Sequence, residues 1–163
     1  MVPRLGVDFG RVINDAASHP GGDDTVFLEG TEEDMLSTPA MAGAFEALQR
    51  LSDRLDGRVW IISKCGPDVQ ARTDRWLAYH RFFEVTAIDP GHIRFCLRRA
   101  EKADHCKELQ ITHFVDDHPE VLNYLEGIVP HLFLFGPQKK PAAPYVVETP
   151  TWRQAERAIT ATL

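Results

Sequence analysis

Short apolar runs alternate with stretches of helical periodicity along the whole chain, and two of the runs stop abruptly at carboxylates. Leu5-Gly6-Val7 leads into Asp8-Phe9-Gly10-Arg11, and His113-Phe114-Val115 leads into Asp116-Asp117. A continuous apolar run bounded by polar residues reads as a strand buried on both faces. Val59-Trp60-Ile61-Ile62, finishing at Ser63-Lys64, has the same form, and residues 82–88 and 128–135 read as further strands. Helices are predicted between them. Thr38-Pro39 supplies an N-cap and a first-turn proline for a helix with Met41, Ala44, Phe45, Leu48, Leu51 and Leu55 inward, stopped by Gly57. Gly66-Pro67 opens a second, with Val69, Thr73, Trp76 and Leu77 on one face. Residues 93–109 read as a short extended piece and then a helix with Ala103, Cys106 and Leu109 inward, and Pro119 starts another. Thr151-Trp152-Arg153-Gln154 has the capping-box form that begins a terminal helix. Residues 14–30, with the turn signal Pro20-Gly21-Gly22-Asp23-Asp24 ahead of Val26-Phe27-Leu28, read as a loop or hairpin flap, and 136–150 as a proline-rich irregular stretch.

Alternation of strands and helices predicts an α/β fold, a three-layer sandwich around a mostly parallel, Rossmann-like sheet. The 163 residues suit one domain, 1–163, carrying a flap at about 14–38 and no separate cap domain. Neither disorder nor a membrane protein is expected from 44% hydrophobic and 26% charged residues. The apolar stretch 128–135 is too short to span a bilayer. A net charge of -6, without a long basic stripe, argues against binding to nucleic acid backbones. The start of the chain lacks a signal-peptide pattern, and Cys65, Cys96 and Cys106 make a poor disulfide framework, so a cytoplasmic location is expected. No Gly-x-Gly-x-x-Gly or P-loop pattern follows a strand.

In an open α/β sheet, residues just past the carboxyl ends of strands gather at one crevice. If the strands before Asp8 and Asp116-Asp117 are neighbours, three carboxylates converge, and they repel one another unless a divalent cation neutralises them. Oxygen ligands favour Mg²⁺.

The polar strand ends occur in a fixed order: Asp8, then Ser63 with Lys64, then a basic segment from Arg98 to Lys102, then Asp116-Asp117. This order resembles the haloacid dehalogenase superfamily of hydrolases over residues 4–135. The resemblance implies a phosphatase in which Asp8 is the nucleophile, forming an aspartyl-phosphate. It implies Mg²⁺ held by Asp8, the Gly10 carbonyl, Asp116 and Asp117. Ser63 would donate to a phosphoryl oxygen and Lys102 would balance charge, with Arg98, Arg99 and Lys64 as competing cations. The backbone following Asp8 (Phe9, Gly10, Arg11), together with Ser63 and Lys64, would face the substrate, a phosphorylated small molecule or macromolecule. The absence of a cap resembles the capless branch, with an open site that a homodimer is one way of covering.

One position departs from the family pattern. Most phosphatases of this family carry a second Asp two residues after the nucleophile as general acid and base; here the residue is Gly10. The departure implies a slow enzyme, a good leaving group or a substitute acid. The flap offers Asp15, His19, Asp23 and Asp24, of which His19 has the side chain best suited to proton transfer, although solvated turn residues are the simpler reading. His113 and His118 bracket the acid pair, and packing is the simpler role for both. The alternative function is a catalytically weak or silent relative that binds metal and a phosphorylated ligand. Carbon-halogen hydrolysis would leave Asp116-Asp117 idle, and a phospho-accepting receiver domain would need the acidic pair after the first strand.

Overall fold

A computed structural model describes residues 1–18 and 24–163. Six strands form one parallel sheet: β1 (Leu5–Val7), β2 (Val59–Lys64), β3 (Ile93–Cys96), β4 (His113–Asp116), β5 (His131–Phe135) and β6 (Val146–Thr149). Their spatial order is β3-β2-β1-β4-β5-β6. The chain starts in the middle, builds outward to one edge, then returns to build the other. The switch point lies between β1 and β4, where such sheets open a crevice at their carboxyl ends.

Side chains alternate between two cores, as the period of two in a strand requires. Val7, Ile61, Val115, Phe133 and Phe135 pack on one face with α3 (Ala44–Arg54), α4 (Pro67–Tyr79), α5 (Phe82–Thr86) and α8 (Trp152–Thr160). Ile62, Phe114, Leu132 and Leu134 pack on the other with α6 (Lys102–Glu108) and α7 (Pro119–Leu125). The fold is therefore the α/β three-layer arrangement expected from the alternation. Gly6 makes one close approach possible, because a Cβ there would lie 2.6 Å from the Phe114 ring.

Four local expectations are corrected. Residues 82–88 are not a strand: Phe82 and Thr86, one helical turn apart, are both buried in α5, and Thr86 Oγ1 donates to Phe82 O (2.8 Å). Left-handed Arg81 and Ala87 delimit that helix, and β3 takes the place beside β2. The helix expected at Thr38-Pro39 begins at Ala44 instead. Residues 38–41 are spent on tertiary ties, with Thr38 O accepting from Trp76 Nε1 (2.9 Å) and Met41 N donating to Ile13 O (2.8 Å). In the flap, Val26-Phe27-Leu28 lies in α1 (Thr25–Glu29), followed by α2 (Glu32–Leu36), so these described residues form two short helices and no hairpin. The stretch 136–150 contains β6, whose four residues are screened in sequence by Pro137, Pro141, Pro144 and Pro150.

His113, at the amino end of β4, is buried beneath the sheet end opposite the carboxylates. Its ring lies 2.7 Å from Thr112 Oγ1 and 3.0 Å from Thr162 Oγ1, and it stacks on His131 (4.5 Å). Burial, reinforced by His131, lowers its pKa to about 4 from 6.5. A base whose folded pKa is depressed stabilises the fold fully above its unfolded pKa and loses that contribution as pH falls toward the folded value. Stability is therefore expected to drop by about 3 kcal/mol between pH 6.5 and 4 on this account. Urea denaturation should show that acid limb, and His113→Gln should flatten it.

Candidate active site

The parallel register places Val7 beside Val115, so Asp8 and Asp116 leave the sheet side by side at the switch point. Asp8 N donates to Val115 O (3.0 Å), which continues the β1–β4 ladder one step further. Asp117 follows, and one carboxylate oxygen from each of Asp8, Asp116 and Asp117 falls within 4.8 Å of the other two. The convergence expected from the two strand ends is present.

Lys102, the first residue of α6, enters this cluster from the face carrying α6 and α7. Its Nζ donates to Asp8 Oδ1 (2.8 Å) and Asp116 Oδ2 (2.7 Å), while the side chain is only 2% exposed. The ammonium also sits 5.7 Å from the Phe114 ring centroid, so the close packing at Gly6 reaches the site through Phe114. Burial by itself pulls the Lys102 pKa down, but the two carboxylates outweigh it and hold the ammonium above its ordinary value. Of the competing cations, Arg98 is exposed, Arg99 pairs with Glu120 (2.9 Å), and Lys64 is exposed at the cavity rim.

One ammonium does not balance three carboxylates. Asp116, fully buried, is raised by burial and then by Asp8, despite Lys102. Asp117 is raised by burial and by both neighbouring acids. Its Oδ1 is buried without a hydrogen-bond partner, and His118 Nε2 stands 3.9 Å away. A buried, unsatisfied carboxylate oxygen is costly. An excess of anionic oxygen donors with such an orphan atom fits a hard divalent cation such as Mg²⁺. Asp8, Asp116 and Asp117 would hold it.

Asp8, Asp117, Lys102, Ser63, Lys64, Phe9, Gly10 and Arg11 line one cavity of about 510 Å³. The residues expected in sequence to act as nucleophile, charge balance, substrate contacts and metal ligands are thus brought to this crevice, with Asp116 buried just beneath it. Ser63, next to last in β2, lies beyond the last β1 pairing, and its side chain interacts with the Cys65 thiol, whose pKa burial pushes up. Arg11 adopts a left-handed backbone (φ 59°) and clasps Asp24 through Nε and Nη2 at 2.7–3.0 Å. His118 lines the cavity and its backbone N–H donates to Asp116 Oδ1 (2.9 Å), whereas His113 serves packing away from it. Among the flap acids, Asp15 flanks the lining residues Asn14 and Ala16, and Asp24 is engaged by Arg11; His19 and Asp23 lie outside the described residues.

An apolar part of the lining was not among the sequence expectations. Phe27 and Leu28 of α1 and Val69 of α4 provide it. The sequence carries its signal: Thr31-Glu32-Glu33-Asp34 caps α2, with Thr31 Oγ1 accepting from Asp34 N (3.1 Å) and three acids in the first turn.

A doubly wound α/β domain with an acid triad and a buried lysine at its topological switch point is the class that fold and site define. The fold is haloacid dehalogenase-like. A haloacid dehalogenase-like family hydrolase from Xanthomonas campestris superposes with a TM-score of 0.67 at 12% identity, covering 98% of this chain and 95% of that one. A structure described as a haloacid dehalogenase-like hydrolase from Burkholderia xenovorans LB400 gives 0.63 at 13% identity, covering 94% of each chain. No protein-family model and no curated protein matches the sequence. Among the described residues, no helix is long and apolar enough to cross a membrane.

Proposed function

We propose that the protein is a Mg²⁺-dependent phosphate-ester hydrolase acting through an aspartyl-phosphate on Asp8. The observation that carries this reading is the meeting of Asp8, Asp116 and Asp117 around the buried Lys102 ammonium. The likeness of fold to two proteins described as hydrolases supports it. An Asp8 oxygen attacks phosphorus, the bond from phosphorus to the ester oxygen breaks, and the leaving group departs with the electron pair. Water then attacks the same phosphorus, breaking its bond to Asp8 and releasing inorganic phosphate and a proton. Lys102 fixes the Asp8 carboxylate through Oδ1, and Ser63 and the backbone amides of residues 9 and 10 supply donors for the phosphoryl oxygens, that of Arg11 being held by Asn14 Oδ1 (3.1 Å). Mg²⁺, held by Asp8, the Gly10 carbonyl, Asp116 and Asp117, would neutralise charge between anionic nucleophile and anionic substrate. The reading places the protein in the cytoplasm, with its three thiols free.

Phosphate release from a panel of phosphoesters, with and without Mg²⁺, tests the proposal; absence of metal-dependent turnover across the panel would leave the silent, ligand-binding reading in its place. Gly10 is the observation that favours that second reading, because it removes the side chain that usually moves the proton. The position is sterically open: a Cβ on Gly10 would meet no heavy atom within 4 Å. Gly10→Asp is therefore expected to raise kcat on alkyl phosphates by about 10- to 100-fold, part of the usual general acid/base contribution. Steady-state kinetics of the variant check it.

A further inference from the structure

The site carries an apolar wall that the phosphoryl chemistry does not use. Leu28 is 43% exposed, yet it sits on the cavity lining. Phe27 beside it is buried, tilted against Phe9 (5.8 Å), which meets Trp76 edge-on (5.4 Å). Val69 completes the surface.

This wall is held firmly by α4. Arg72 donates from Nη1 to Phe27 O (3.1 Å) and from Nη2 to Gly30 O (2.8 Å), taking up carbonyls at the end of α1. Arg75 pairs with Glu32 (2.7 Å), Trp76 Nε1 donates to Thr38 O, and His80 Nε2 lies 2.8 Å from Leu36 O. Three side chains on α4, and that of His80 just past its end, thus fasten residues 27–38 along their length. The same cavity also carries the cationic Lys64 and Arg99. A ligand with an anionic end at Asp8 and an apolar body beside Leu28 matches both kinds of lining.

Gly10 adds an independent, chemical requirement. Without a carboxyl side chain there, that position gives no proton to the leaving oxygen, which favours esters whose departing oxygen bears negative charge well. Asp24, the flap acid on the cavity lining, is already committed to Arg11. A phenol loses its proton at pKa ~10, whereas an aliphatic hydroxyl lies near water at ~15.7, so of these two alcohols the aromatic one carries that charge far more readily.

We propose that Phe27, Leu28 and Val69 form a leaving-group subsite and that the preferred substrates are phosphate esters of compact aromatic alcohols. The inference rests on the phosphatase reading above. The cavity, about 510 Å³, accommodates a fused two-ring body with its phosphate. Phosphorus–oxygen cleavage releases the aromatic alcohol as its anion, which takes a proton from water.

Three probes separate the two claims when kcat/KM is measured with Mg²⁺: acetyl phosphate has a good leaving group and no ring, 1-naphthyl phosphate has both, and O-phosphoserine has neither. The naphthyl ester is expected to exceed phosphoserine by about 10³-fold, from leaving-group stability together with ring burial. Leu28→Ser with Val69→Ser should lower the naphthyl-to-acetyl ratio about tenfold. Leu28 is exposed and Val69 half-buried, so the double variant is expected to fold, and a thermal melt verifies that. Turnover of acetyl phosphate with no naphthyl advantage over phosphoserine, or an unchanged ratio in the double variant, overturns the subsite alone. No turnover of any probe overturns the phosphatase reading and the subsite with it.

Discussion

Asp8→Asn is expected to abolish Mg²⁺-dependent phosphate release, lowering kcat by about 10⁴-fold or more, the usual consequence of removing a covalent nucleophile. The size follows from geometry as well as chemistry. Asp8 is the residue that touches all the other parts: its backbone extends the β1–β4 ladder, its Oδ1 holds Lys102, and it belongs to the carboxylate triad. Asn keeps the shape and retains an oxygen for Lys102, so the fold should survive. Affinity for a phosphate analogue should survive too, which separates loss of chemistry from loss of binding. Phosphate-release kinetics and equilibrium binding on the same preparation check both halves.

Lys102→Met is the change expected to cost most stability, about 3–5 kcal/mol in urea denaturation. The alkyl stem is matched, so packing along Phe114 is largely kept. What is lost is the ammonium that bridges Asp8 and Asp116, leaving carboxylates that are buried and already mutually repulsive. Breaking one partner of a buried ionic network strands the others, whereas removing charge on both sides is far milder. Lys102→Met combined with Asp116→Asn should therefore recover a large part of the loss. Against a total stability of about 5–15 kcal/mol for a domain, the single variant stands near the limit of folding. A loss equal in the single and double variants would show that packing, not charge, dominates at this position.

The sheet and the acids were legible for a common reason: a strand buried on both faces leaves a long apolar signature, and its carboxyl end fixes where the next polar residue goes. That is why Asp8, Ser63 and Asp116-Asp117 could be read from local pattern. Lys102 was one of four candidate cations, because selecting it requires knowing which helix turns inward over the crevice. The 82–88 run misled because Phe, Val, Thr and Ile favour strands intrinsically, while burial of Phe82 and Thr86 one turn apart decided for helix. β6 escaped because its prolines speak louder than its two valines, although an edge strand tolerates such neighbours. The apolar wall was invisible because it depends on contacts from α4 more than forty residues away in sequence.

Those contacts carry an evolutionary implication. Arg72, Trp76 and His80 grip main-chain oxygens of residues 27, 30, 36 and 38, and a peptide oxygen is the same whatever side chain accompanies it. The scaffold can therefore exchange what it displays at position 28 while its anchorage stays intact. The residue shown to a ligand there can change without disturbing the acid cluster behind it.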